Sequence, residues 1–322
     1  MTSREALQRR LAPRRLATAV KAGLHAAGHY ARRLADDTFP GVAVLCYHGV
    51  RPDEDVGTPD VPFANLHVRR ATLEAHCRLL RASCQPISLD AWRAALDGGP
   101  PLPPRPVLVT FDDGYRSVHR LARPILARYQ IPAVVFACSD AVAGRSLLWY
   151  DALARARGEA AVEPAKALPF AAWRALVEPL AAPVADDHPQ AVLTVEELQE
   201  LARAPGLEIG SHTASHAILA RADSEEQRRQ IGEDRERLGA WIGRPVRAFA
   251  YPNGRPDLDY TDATARIVSD LGFDFAFNTR PGFATAVEPR LKRSRFLMLA
   301  DVSAAELAHR LTYSWRGRRF LE

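Results

Sequence analysis

Short apolar runs, each followed by a helical stretch, limit this chain to a parallel α/β fold. The runs are GVAVLCY (41–47), VLVTF (107–111), PAVVFAC (132–138), LEIGSH (207–212) and VRAFAY (246–251). A strand buried on both faces reads as a continuous apolar run, because helices cover both sides of its sheet. Helical segments lie between the runs. One covers Ser117–Tyr129, and one opens on the capping box Thr194–Glu197. A third, Ser224–Ile242, carries Ile231, Leu238, Trp241 and Ile242 on one side and stops at Gly243. A fourth covers 261–271, and two more strands are expected near 274–278 and 290–297. Strands alternating with helices predict a parallel α/β architecture, open or closed into a barrel.

The segments between suggest the organisation. Residues 98–106 (GGPPLPPRP) form a breaker-rich connector. Residues 141–193 are rich in Ala, Pro and Arg, hold Trp149, Tyr150 and Trp173, and are expected to form a partly helical insertion. The expected division is a basic helical extension (1–38), a central domain with that insertion (39–302) and a C-terminal helix and tail (303–322). With 47% hydrophobic and 25% charged residues, the chain has a globular composition and not a disordered one.

The net charge of +5 is unevenly placed. Residues 1–35 hold eight Lys/Arg against one acid, Glu5, so this arm is +7 and the remaining 287 residues are −2. A near-neutral body without a basic-aromatic groove argues against a nucleic-acid partner. Leu7, Leu11, Leu16, Val20 and Leu24 recur at helical steps between the arginines. Such a helix either packs on the domain with its basic face in water or lies on an anionic membrane surface. No run of about 20 apolar residues is present, nor the apolar centre of a secretory signal. The chain is therefore expected to start near Met1 and to be cytoplasmic, with peripheral contact at the inner membrane face through residues 1–35. Its four cysteines (Cys46, Cys77, Cys84, Cys138) are too few for a disulfide framework and favour a reducing compartment. The sequence leaves a Cys77–Cys84 bridge open.

Three clusters at the C-terminal ends of expected strands carry the chemistry, where parallel α/β folds place their sites. The first is Thr110-Phe-Asp-Asp-Gly-Tyr115. Adjacent carboxylates there can divide their tasks, one ligating a cation and the other handling a proton; alone, the pattern also suits a solvated Asp-Gly turn. The second is Ser211-His212-Thr213-Ala214-Ser215-His216. Two histidines four apart can converge on one metal, and with Asp113 they make a His₂-carboxylate set that leaves positions for water and substrate. The third is Phe249-Ala-Tyr-Pro-Asn-Gly254, a sharp turn whose backbone N–H groups can face a developing oxyanion.

TFDDGY, then SHTxxH, then FAYPNG resemble the first three motifs of the polysaccharide deacetylases, the NodB-homology or carbohydrate esterase family 4 proteins. The resemblance covers roughly residues 40–300. It implies a distorted (β/α) barrel of about seven parallel strands, and a metal-dependent hydrolase that removes acetyl groups from sugars with Zn²⁺ or another divalent metal. By resemblance, Asp112 is the catalytic base, Asp113, His212 and His216 are metal ligands, and Asn253 supplies an oxyanion N–H. Tyr115, Tyr251, Pro252 and Trp149 are expected to face an acetylated amino-sugar substrate, carried on a glycan, a nucleotide or a lipid. For Trp149 the alternative is a hydrophobic anchor for the insertion.

Two departures stand out. Many members have an Arg after the Phe of the third motif, bracing the base; here that position is Ala250. Many also carry a late Leu-x-His whose His is the general acid, whereas Pro289–Phe296 holds none. His48, at the end of the first strand, is the candidate replacement, the alternative being a structural His bonded to backbone. His25, His29, His67, His76, His119, His188 and His309 show no partner pattern. The rival functions are a non-catalytic glycan- or lipid-linked-sugar-binding protein on the same fold, and a deformylase or cyclic amidase acting on a small molecule.

Overall fold

The computed structural model describes residues 16–54 and 61–315. Its frame is a curled parallel sheet of β1 (Gly41–Tyr47), β2 (Pro106–Phe111), β3 (Ala133–Ala137), β4 (Leu207–Ser211), β5 (Ala248–Ala250) and β6 (Phe275–Phe277), hydrogen-bonded in that order. A seventh strand, β7 (Phe296–Leu297), pairs in parallel with β1, at Leu45↔Phe296 and Cys46↔Leu297. Just before it, Arg293 bridges Phe277 of β6. Residues 293–297 thus reach from the last strand of the sheet to the first, and the sheet curls into the distorted (β/α) barrel implied by the motifs.

Period-two alternation divides the strand residues between two cores. Val42, Val44, Leu108, Val134, Phe136, Ala248, Ala250, Phe275 and Phe277 pack together in the barrel interior. Their neighbours Ala43, Leu45, Val107, Val109, Val135 and Ile209 pack with the surrounding helices. Gly210 shows how close the interior packing is. A Cβ there would meet Phe136 Cδ1 at 2.3 Å, so only glycine lets β4 lie against β3 at this point.

Among the helices are α1 (His29–Ala35), α2 (Arg70–Ser83), α3 (Trp149–Arg157), α4 (Phe170–Val177), α5 (Val195–Arg203), α6 (Ser224–Ile242), α7 (Asp262–Asp270) and α8 (Ala304–Tyr313). The Thr194–Glu197 capping box forms at α5, and Gly243 ends α6 in the left-handed conformation. Ser117–Tyr129 is not one α-helix. A π-turn at Val118–Ala122 precedes a short α-helix, Arg123–Arg128. Pro124 has no N–H for the regular ladder, and the register slips beside it. All four cysteines are buried and free, so Cys77 and Cys84 are not bridged.

Part of the basic arm is docked. Residues 16–26 are helical, and α1 packs on α8. Tyr30 and Leu34 are fully buried, Lys21 pairs with Glu306 at 2.8 Å, and the His29 ring lies 2.7 Å from Tyr313 Oη. Leu16 and Val20 are exposed; Leu7, Leu11 and the five arginines that precede them or follow lie outside the described residues, as does the tail from 316. No helix among the described residues is long and apolar enough to cross a membrane.

The helix α2 supports β1 through a buried pair, His76 Nδ1 with Tyr47 Oη at 3.0 Å. Burial pushes the His76 pKa down to about 4. A histidine takes its proton near pH 6.5 once unfolded, so stability is full above that pH and falls as pH drops toward 4, by roughly 3 kcal/mol for this group. Urea melts between pH 7 and 4 should show the loss, and His76→Gln should flatten the slope. An unchanged slope in the variant would count against this assignment.

Candidate active site

The strands deliver their C-terminal ends to one rim of the barrel. Asp112 follows β2, and its backbone N–H donates to Tyr47 O at 2.8 Å. Its carboxylate is 3% exposed and meets Arg295 in a two-pronged ion pair, Nη1 to Oδ1 and Nη2 to Oδ2, each 2.7 Å. Cys46 Sγ donates to Oδ2 at 3.4 Å. Burial alone would raise the Asp112 pKa, but the charge and hydrogen bonds of Arg295, joined by the neighbouring His212 and His48, together outweigh it and hold the carboxyl below its ordinary value. A carboxylate offers about four acceptor positions. Two partners occupy Oδ2 and one occupies Oδ1, so a lone pair of Oδ1 is left to take a proton.

Asp113 sits beside it in the left-handed region, φ 74°. That turn separates the two carboxylates and swings Asp113 toward the loop after β4. Its Oδ1 lies 3.4 Å from His212 Nε2 and 3.3 Å from His216 Nε2, and is buried without a hydrogen-bond partner. His212 Nδ1 is 2.6 Å from Ala250 O and must carry the ring hydrogen there. Its Nε2 is then a bare lone pair facing a carboxylate oxygen. No partner fixes the ring hydrogen of His216, whose Nδ1 has none. In the tautomer that leaves its Nε2 bare, three acceptor atoms converge in a buried place and call for a cation between them. These residues fit a divalent metal by donor chemistry and by the orphaned oxygen.

The strain needed to aim these groups is local. Besides Asp113, Thr213 (φ 65°), His216 (φ 57°) and Asn253 (φ 56°) are left-handed non-glycine residues, each costing about 1–2 kcal/mol. Buried Asp234 on α6 holds the loop: it accepts Ser211 Oγ–H at 2.5 Å, His212 N–H at 3.0 Å and Ser139 N–H at 2.7 Å. From the insertion, Trp149 Nε1 donates to His216 O at 3.0 Å, and Tyr150 Oη donates to Asp113 Oδ2 at 2.7 Å.

The structure brings Asp112, Asp113, His212, His216 and His48 together. His48 Nε2 is 3.9 Å from Asp113 Oδ2, its ring is 15% exposed, and its Nδ1 has no partner. Asn253 lies on the turn after β5, three residues beyond the carbonyl that holds His212. The four positions expected to face substrate are placed differently. Tyr115 is fully buried behind Asp113, and Trp149 is buried edge-on to Trp173. Tyr251 spends its hydroxyl on Leu291 O and stacks on Tyr260, and Pro252 is buried beside it.

Two supporting residues were not found from the sequence. Arg295 supplies the brace that Ala250 lacks, from the barrel-closing segment instead of the third motif. Its signal was an arginine at alternate positions of the expected 290–297 strand, since Arg293 and Arg295 are both buried. Asp234 interrupts the apolar stripe of α6 between Ile231 and Leu238. An acid on a buried helix face needs buried partners, and that was its signal.

Residues 99–276, more than half of the chain, match the family model described as polysaccharide deacetylase. The chain is 36% identical over 104 residues to the poly-beta-1,6-N-acetyl-D-glucosamine N-deacetylase of Escherichia coli (strain K12), covering 31% of this chain but 15% of that protein. It is 22% identical over 179 residues to the putative polysaccharide deacetylase YxkH of Bacillus subtilis, covering 56% of this chain and 46% of that one. The chain thus spans less than half of the length of these relatives, 15% of the first and 46% of the second. Among solved structures, the Streptococcus pyogenes deacetylase PplD has a TM-score of 0.62 at 20% identity, covering 84% of this chain and 97% of that one. IcaB from Ammonifex degensii has 0.57 at 24%, covering 85% and 98%.

The Arg295 fork is open to a direct test. Arg295→Met should destabilise the fold by about 3–5 kcal/mol, because it leaves the buried Asp112 charge without its partner. Arg295→Lys keeps a charge but not the fork, and should fold while turnover falls about 10²-fold. Wild-type turnover in Arg295→Lys would show that the fork does not position Asp112.

Proposed function

The chain belongs to the polysaccharide deacetylase family, and from that premise we propose that it is a metal-dependent hydrolase removing an N-acetyl group from an amino sugar of a glycan or glycan precursor. One observation carries the proposal: a buried, arginine-locked carboxylate stands next to a convergent Asp113–His212–His216 set with an orphaned oxygen at its centre. A non-catalytic sugar-binding protein would have no need to hold a second buried carboxylate with a free lone pair beside a metal site.

A divalent cation such as Zn²⁺ held by those three residues would acidify water and polarise the acyl carbonyl. The chain supplies the rest. Asp112 takes a proton on Oδ1 as water adds to the acyl carbon. The Asn253 N–H faces the developing oxyanion. His48, within reach of both carboxylates, gives a proton to the departing amine as the C–N bond breaks. The products are acetate and a free amino sugar.

Asp112→Asn should abolish turnover of a chitooligosaccharide or poly-N-acetylglucosamine substrate while Zn²⁺ still binds at one per chain. His48→Ala should lower turnover about 10²–10⁴-fold with metal binding retained. No bound metal after purification, and none regained on adding Zn²⁺, would remove the proposal. Near-wild-type turnover in His48→Ala would remove that residue from the mechanism.

The proposal also places the protein in the cytoplasm, with the basic arm against the inner face of the membrane near lipid-linked sugars. The +7 charge of residues 1–35 supports the contact; the pairing of Lys21 with Glu306 takes one of those charges out of it. Full-length protein should float with anionic vesicles and a chain lacking residues 1–15 should not. Equal behaviour of the two would sink the membrane contact.

A further inference from the structure

Behind Asp113 runs a buried line of polar groups that the hydrolytic chemistry does not use. Asp113 Oδ2 lies 2.7 Å from Tyr150 Oη. That oxygen lies 2.7 Å from Tyr115 Oη, which lies 2.7 Å from Asp151 Oδ2. At the far end, Gln190 Nε2–H donates to Asp151 Oδ1 at 2.6 Å. Asp151, Tyr115 and Gln190 have no exposed surface, and Tyr150 has 6%.

The hydrogens can be counted. Three successive O···O contacts at 2.7 Å need three hydrogens, and the two phenols carry two. With both acids ionised, one of the three contacts lacks a hydrogen, and the two charges draw Tyr115 toward Asp151 and Tyr150 toward Asp113. The two phenol oxygens then face each other at 2.7 Å with no hydrogen between them, in a buried place. With a proton on Asp151 Oδ2 the line closes. The acid donates to Tyr115, Tyr115 to Tyr150, and Tyr150 to Asp113 Oδ2. Gln190 fits the same arrangement, because its amide N–H meets Oδ1, the carbonyl oxygen of the acid.

We propose that Asp151 is held as a neutral carboxylic acid and that, through Tyr115 and Tyr150, it is a positioning residue for Asp113. Its protonation follows from the hydrogen count; its effect on a cation rests on reading Asp113 as a metal ligand. Burial pushes the Asp151 carboxyl well above the ordinary carboxylate range and the Asp113 charge pushes the same way, against the Tyr115 and Gln190 hydrogen bonds and the Arg155 charge. The hydrogens now all run one way, so Tyr150 can only donate to Asp113. Oδ2 is taken, and Oδ1 is left turned toward His212 and His216. Donors in series strengthen one another in a dry interior. Trp149, next in the chain, holds the His216 carbonyl. One turn of α3 therefore steadies two of the three ligands.

Asp151→Asn decides the question, because an amide can copy a neutral acid but not a carboxylate. Its NH₂ would donate to Tyr115 and its C=O would accept from Gln190. Zn²⁺ affinity, read by chelator competition without any turnover, should stay within about threefold of wild type in Asp151→Asn. It should fall about 10–100-fold in Tyr150→Phe and in Asp151→Leu. Affinity lost in Asp151→Asn as deeply as in Asp151→Leu would overturn the neutral acid. Wild-type affinity in Tyr150→Phe would overturn the positioning role. Infrared difference spectra of wild type against Asp151→Asn test the proton separately. A carboxylic-acid C=O band must be present in the wild type, and its absence overturns the proposal. Because that band needs no metal, a protein that shows it but binds no Zn²⁺ would overturn the ligand reading of Asp113 and the positioning role with it, while leaving the neutral acid standing.

Discussion

Asp112 carries a charge inside the barrel because Arg295 meets it there. Two carboxylates on consecutive residues, both buried, would be too costly to hold ionised without compensation. The molecule compensates them in different ways. Asp112 has a guanidinium 2.7 Å from each of its oxygens. Asp113 has two imidazole Nε2 atoms turned toward one of its oxygens, a set that fits a cation. The two acids thus differ in surroundings because each has a different kind of partner.

That ion pair also ties chemistry to architecture. Arg295 lies in the segment that reaches from β6 to β1, and its guanidinium sits over the rings of Phe136 and Phe277 in the barrel interior. The closure of the barrel and the bracing of Asp112 are therefore one event. Arg293, two residues earlier, faces the same way and packs over Trp92. Around this frame the site is held from outside. Asp234 grips the His212 loop from α6, and the insertion grips Asp113 and His216 from α3. The left-handed residues at the rim persist because these contacts over-determine them.

The strands, the long helix Ser224–Ile242 and the capping box at Thr194 were legible, because each depends on periodicity or on partners within a few residues. Asp112, Asp113, His212 and His216 were legible as well, since their residue types are rare together and each stands at a strand end. The π-turn at Val118–Ala122 was not, although Pro124 marks its place. The roles of Tyr115, Tyr251 and Trp149 were harder still. An aromatic beside a catalytic motif suggests a sugar platform, but burial turned these rings inward, and hydrogen bonds to Leu291 O and His216 O occupy their polar atoms. Burial is a property of what packs on a residue, and that comes from far along the chain.

By itself the sequence determined the class of fold and pointed to the four polar residues that gather at the barrel rim, because apolar period and strand-end motifs are local. Only the tertiary structure decided how that site is held. The brace for Asp112 comes from a residue 183 positions away, the anchor of His212 from a helix 22 positions on, and the support of Asp113 from an insertion 37 positions on. Such partners are chosen by where the barrel closes and where the insertion lands, and no spacing along the chain encodes either.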